Sequence, residues 1–153
     1  MRALILVLAT GAGAGYVPVA PGTAGSVLGL LLVWIFFAPL WERSPALCIL
    51  TFAAVFAASV WIAGRAESML AEHDSSKIVI DEILAMAAAM FGVPLTLPLV
   101  IAGFLAFRVF DVLKPFPAGW IDRRMRGGAA VMFDDLVAAV YANLVLRAMW
   151  YFI

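Results

Sequence analysis

Charge is what this chain has least of. Only 13% of its 153 residues are charged against 66% hydrophobic, and ten basic side chains cancel ten acidic ones. Ordinary soluble domains are about 45–50% apolar, so the composition reads as an integral membrane protein, with residues 1–153 forming one domain. Zero net charge gives no bulk attraction to nucleic acid. Cysteine and histidine are scarcer still, with one of each. A single cysteine excludes a disulfide within the chain. Cys48 lies in an apolar run and His73 in a polar stretch, which argues against a Cys–His nucleophile pair, and Cys48 reads as packing. Internal repeats, low-complexity tracts and linkers are also lacking.

The first residues, Met1–Leu8, imitate a signal peptide with one arginine and a short apolar core. Retention is expected, because that core is short and the motif downstream needs the segment. Glycines are frequent in Thr10–Gly15, but the run lacks the Gly-Lys-Ser/Thr ending of a nucleotide-binding loop. Close helix packing is the better account of them, and no nucleotide ligand is expected.

What is present in abundance is apolar sequence. The runs are Ala24–Leu40, Ala46–Ala63, Ile83–Phe107 and Leu136–Leu146. In lipid, runs of this length read as helices, since backbone groups must be satisfied within the segment. The third run breaks at Gly92–Pro98, where a glycine and two prolines favour a turn. The basic residues settle the choice between one span and two. Arg65 and Lys77 form one group; Arg108, Lys114, Arg123, Arg124 and Arg126 form another. Both groups fall on the cytoplasmic side only if the run is a hairpin of two helices, about 76–93 and 97–113. A last helix from about Ala129 carries Arg147, Trp150 and Tyr151 as an interfacial anchor at its outer end. The expected fold is all-α: a polytopic bundle of about five membrane-embedded helices behind a short N-terminal segment.

Five carboxylates lie at the edges of these runs: Asp81, Glu82, Asp111, Asp134 and Asp135. An acid costs about 2.5–3.5 kcal/mol at the centre of a lipid-embedded helix and less near its ends. In the hairpin topology all five reach one depth on the cytoplasmic side, where a lipid headgroup would sit. Carboxylate oxygens in such a cluster suit a divalent cation, Mg²⁺.

Near the same depth, Pro18–Ser26 is a small-residue loop leading into the first span. Its backbone could fold around an anion beside free helix N–H groups, with Thr23, Gly25 and Ser26 as phosphate contacts; a plain helix cap is the alternative. Asp111 and Lys114 are three apart, so a helix would place them on one face with the acid orienting the lysine. Arg123, in the basic loop Ile121–Gly128, could hold a phosphate bidentately, although anionic-lipid contact accounts for most of that loop. Together these groups suit cation-assisted hydrolysis of a phosphate ester. A small cation transporter or channel subunit is the rival reading, but it would spread its acids through the membrane depth.

In this order the segments Gly15–Ser26, Ile78–Glu82, Phe107–Pro115, Asp122-Arg123, Gly127-Gly128 and Asp134-Asp135 resemble the phosphatidylglycerophosphatase A family. Phe116 stands where that family often has tryptophan, and Ala85 and Ala139 where it often has glycine. The resemblance implies Mg²⁺-dependent dephosphorylation of phosphatidylglycerophosphate to phosphatidylglycerol in a bacterial inner membrane, with the active site facing the cytoplasm. It marks Asp81, Glu82, Asp111, Asp134 and Asp135 as metal or catalytic residues. It marks Thr23, Ser26 and Lys114 as phosphate contacts, and it matches Asp74 and Lys77 only loosely.

Overall fold

The computed structural model of the chain describes residues 1–71 and 75–152, so His73 and Asp74 lie outside the described residues. Every regular element among the described residues is helical. Helix α1 (Arg2–Ala9) is followed by α2 (Pro21–Leu32), a π-helical turn at Val33–Phe37 and α3 (Ala38–Arg43). These last three form one continuous apolar rod, Pro21–Arg43. Next come α4 (Pro45–Leu70), α5 (Ile80–Ala89), α6 (Leu97–Leu113), the short α7 (Ala118–Arg124) and α8 (Gly128–Phe152).

Local chemistry sets most of these boundaries. Pro21 opens α2 at a position where its missing N–H costs nothing. Ser44 alone separates α3 from α4; its extended backbone breaks the helix and its Oγ accepts a hydrogen bond from Leu47 N at 3.2 Å. Pro98 stands in the first turn of α6, and Lys114 closes that helix in the left-handed conformation, φ 44°.

Rods Pro21–Arg43, Pro45–Leu70 and Gly128–Phe152 are each long and apolar enough to cross a membrane. The protein is therefore a membrane protein with three such helices among the described residues, while α5 and α6 are shorter. The expectation of a helix over about 76–93 is corrected: α5 has 10 residues, about 15 Å of rise against a hydrocarbon thickness of about 30 Å. Its start is delayed because Val79 N donates instead to Ala9 O of α1, at 2.9 Å. Its end comes early because Gly92 turns the chain with φ 66°.

Contacts between the rods give their directions. A Cβ on Gly22 or Gly25 of α2 would meet Glu82, and one on Gly29 would meet Ile83 and Met86, so α2 runs parallel to α5. Phe56 of α4 meets Phe133 of α8 with ring centres 5.2 Å apart, while Gly64 abuts Gly128, so these two are antiparallel. Gly103 of α6 is covered by Met90 and Leu146, with Asp111 beside Asp135, so α6 also opposes α5 and α8. The N-termini of α2, α5 and α8 and the C-termini of α4 and α6 thus share one end. The hairpin expected at Gly92–Pro98 is present. The opposite end is filled by aromatic rings, with Phe37, Phe52 and Phe91 in mutual contact and Trp41 stacked on Phe91 at 5.8 Å.

Candidate active site

Asp81 and Glu82 occupy the first turn of α5, and Asp135 lies two turns into α8. Each offers a carboxylate oxygen within 4.8 Å of the others. Three acids brought so close repel one another unless something positive lies between them. The structure offers little else to satisfy them: Asp81 Oδ1, Glu82 Oε2 and Asp135 Oδ2 are buried without a hydrogen-bond partner. Unsatisfied buried oxygens on convergent carboxylates are the donor set a hard divalent cation takes. The residues present fit such an ion.

Asp111, from the last turn of α6, faces Glu82 and Asp135 and completes one wall. Asp134 lies beside Asp135, and its Oδ1 is likewise buried without a hydrogen-bond partner. Its Oδ2 accepts a 2.7 Å hydrogen bond from Lys114 Nζ, which also donates to Asp122 Oδ1 at 2.7 Å. Burial works against the lysine's charge, but the two carboxylates outweigh it, so the ammonium is held above the usual lysine range.

The expected Asp111–Lys114 pairing is therefore corrected. Lys114 is not a helical residue: its left-handed backbone turns the side chain toward α7 and α8. Asp111 pairs instead with Arg108, one turn earlier, with Nη1 3.0 Å from Oδ2. That contact is not aligned as a hydrogen bond, which leaves the buried Nη1 able to donate to another acceptor. Arg108 also lies beside Glu82 and close to Gly22.

The expected loop Pro18–Ser26 is shorter than the sequence indicated, since helix α2 already begins at Pro21. Thr23, Gly25 and Ser26 lie in its first turns. Gly25 packs against Val79 and Glu82. Ser26 is fully buried and its Oγ donates to Gly22 O at 2.9 Å, so its proton is committed to its own helix. Thr23 is partly exposed. Arg123 is exposed on α7, with its guanidinium near Gly119 beside the Lys114 carbonyl.

Sequence reasoning did not assign roles to Arg108, Gly22 or Asp122. The Arg108–Asp111 spacing carries the same one-turn signal as Asp111–Lys114. The place of Gly22 could not be read from spacing, because its neighbour Glu82 comes from another helix.

These features can be set beside known proteins. A profile described as Phosphatidylglycerophosphatase A matches residues 7–150. The chain belongs to that family. It is 33% identical over 152 residues to Phosphatidylglycerophosphatase A of Haemophilus influenzae, covering 96% of this chain and 89% of that one. With the protein of the same name from Escherichia coli it shares 32% over 140 residues, covering 91% and 79%. A Bacteroides thetaiotaomicron protein provisionally named phosphatidylinositol-3-phosphatase is 35% identical over 158 residues, covering 96% and 94%. No solved structure matches the chain. Family membership makes this protein a phosphoric monoester hydrolase acting on a lipid phosphate.

Proposed function

We propose that the protein is a Mg²⁺-dependent phosphatidylglycerophosphatase of the bacterial inner membrane, with its site at the cytoplasmic face and residues 1–153 acting as one domain. One observation carries the reading: Asp81, Glu82 and Asp135 converge within 4.8 Å, with buried, unpartnered oxygens, at one end of an apolar bundle. The names of the Haemophilus influenzae and Escherichia coli relatives support the substrate.

Hydrolysis joins a water oxygen to phosphorus and breaks the bond from phosphorus to the terminal glycerol oxygen, giving inorganic phosphate and phosphatidylglycerol. When bound by Asp81, Glu82 and Asp135, with Asp111 adjacent, Mg²⁺ supplies Lewis-acid charge neutralisation and a lowered pKa for water. The chain's own residues do the rest. Arg108, set between Glu82 and Asp111 with an N–H free, can hold a phosphoryl oxygen and resist the build-up of negative charge. Lys114 is fixed by Asp122 and Asp134, which orients its ammonium at the rim. Thr23 and Arg123 are the further phosphate contacts in this reading. Attack by water is the default route for a site with no cysteine or histidine in place among the described residues. Lipid tails would remain in the bilayer beside the exposed apolar flanks of α4 and α6.

The Bacteroides thetaiotaomicron relative favours a second substrate, a phosphoinositide monophosphate. Both are tested by following phosphate release from each lipid by the purified protein, with Mg²⁺ and with chelator. Release from phosphatidylglycerophosphate that stops on chelation is the expected result. Faster release from phosphatidylinositol 3-phosphate would transfer the assignment to that lipid, and release untouched by chelator would end the metal reading.

A further inference from the structure

At the aromatic end of the bundle α8 holds the C-terminus of α5 by side-chain hydrogen bonds. Asn143 Nδ2 donates to Ala89 O at 2.8 Å and to Phe91 O at 2.9 Å. Arg147 Nη2 donates to Phe91 O at 3.0 Å, and its Nε donates to Asn143 Oδ1 at 2.7 Å, which fixes the amide's orientation. Arg147, expected from sequence to serve as an interfacial anchor, is engaged here.

The bonds complete a backbone account. Where α5 unwinds, the carbonyls of Ala87, Ala88 and Met90 accept from Met90, Phe91 and Val93 N–H groups. Ala89 and Phe91 accept from Asn143 and Arg147. A helix that stops halfway through a membrane cannot leave carbonyls bare in hydrocarbon, and these two side chains serve the ones the turn leaves over.

The same bonds fix the level at which α5 sits. Asn143 lies 54 positions beyond Ala89, and Asp135 stands at that same offset from Asp81, its neighbour in the carboxylate group. Parallel helices joined at two points with one offset are in axial register along their whole contact. A slip of one turn would displace Asp81 and Glu82 from Asp135 by about 5.4 Å, more than the 4.8 Å within which their oxygens gather. We infer that Asn143, held by Arg147, is a positioning residue that sets the register of α5 against α8 and so assembles the cation-binding carboxylates from the far end of the bundle. The inference rests on the metal-site reading above.

The test is Mn²⁺ binding to the full-length protein in lipid nanodiscs, followed by the electron-spin resonance of free Mn²⁺, with phosphate release measured in parallel. Asn143→Leu keeps the volume and removes three of the four bonds of the clasp, sparing only that from Arg147 Nη2 to Phe91 O. Its Mn²⁺ affinity should fall about 10–100-fold, the range seen when groups supporting metal ligands are lost. KM for lipid at saturating cation should change less than about twofold, because nothing in the clasp touches substrate. Arg147→Ala, which spares the bonds from Asn143 to Ala89 and Phe91, should weaken Mn²⁺ in the same direction by less, and it decides the matter should Asn143→Leu fail to fold. Phe52→Leu, a packing change in the same aromatic end, should leave Mn²⁺ affinity unchanged in the folded protein. Wild-type Mn²⁺ affinity in folded Asn143→Leu, or in Arg147→Ala where that variant decides, overturns the register role and leaves the metal site standing. No Mn²⁺ binding by the wild type overturns both.

Discussion

Asp134 and Asp135 are adjacent in sequence and take different partners. The first accepts from Lys114 at 2.7 Å, while the second closes the group formed with Asp81 and Glu82. Neighbours on a helix leave its axis about 100° apart, and on α8 the two carboxylates take different partners. The double aspartate feeds two structures: the carboxylate group, and the bridge to α7.

Substitutions should separate the two. Asp81→Asn, Glu82→Gln and Asp135→Asn are each expected to cut phosphate release by more than about 100-fold, past the 10–100-fold usual for supporting groups. Each should also weaken Mn²⁺ binding. Asp134→Asn should lower turnover by about 10–100-fold while leaving Mn²⁺ affinity near wild type. Equal loss of Mn²⁺ affinity in all four variants would show that Asp134 is a ligand as well.

Gly22 gives a prediction with opposing signs. Alanine is favoured over glycine within a helix by about 1 kcal/mol, so Gly22→Ala should not weaken α2. Its Cβ, however, would collide with the Glu82 carboxylate and come within 3.1 Å of Arg108 Nη1. Displacing reactive groups by about 1 Å can cost up to about 100-fold. Thermal stability at or above wild type, with activity down about tenfold or more, is the expected pair of results. Full activity would place Glu82 outside the working site.

The lysine bridge makes a statement about pH. Lys114 is held above the ordinary lysine range by Asp122 and Asp134 despite its burial. A group whose folded-state pKa is raised contributes stability that is fully present below its unfolded value, about 10.4, and is lost as pH rises through the folded value. Between about pH 6 and 9 the stability difference between wild type and Lys114→Met should therefore stay constant. An alkaline fall in activity inside that window should persist in Lys114→Arg. A difference that shrinks toward pH 9 would mean that the lysine is losing its proton there.

Topology can be tested at the turn between α5 and α6. Thr96 is exposed at the end of the bundle opposite the carboxylates. Cys48 is buried with Sγ 3.6 Å from Phe37 O, a carbonyl to which a serine hydroxyl can also donate, so Cys48→Ser should be tolerated. In that background Thr96→Cys should react with an impermeant thiol reagent added from the periplasmic side. Reaction only from the cytoplasmic side would invert the assignment of the two faces.

Much of this arrangement is legible in the sequence where local chemistry governs. Helix α6 spans Leu97–Leu113 as expected, because Pro98 and Lys114-Pro115 punctuate both ends. The convergence of the acids followed from basic clusters and one proline-rich turn. Reading failed where a distant segment decides a local matter. Helix α5 is shortened at its start by a bond to Ala9 and finished at its end by Asn143, neither visible from its own residues. The Asp111–Lys114 pairing failed for a reason that is in the sequence: Lys114 precedes Pro115, and a residue before proline is driven out of the helical region.

The shared direction of α2, α5 and α8 has an electrical consequence. Peptide dipoles add along a helix to roughly half a positive charge at its N-terminus, and three such ends meet at the carboxylate end of this bundle. The C-termini of α4 and α6 lie at that end too and offset part of this, so the backbone contributes roughly half a positive charge in sum. That field has no counterpart in formal net charge, which is zero for the chain as a whole. The backbone thus returns a little positive charge to the pole where the carboxylates gather and eases their crowding there.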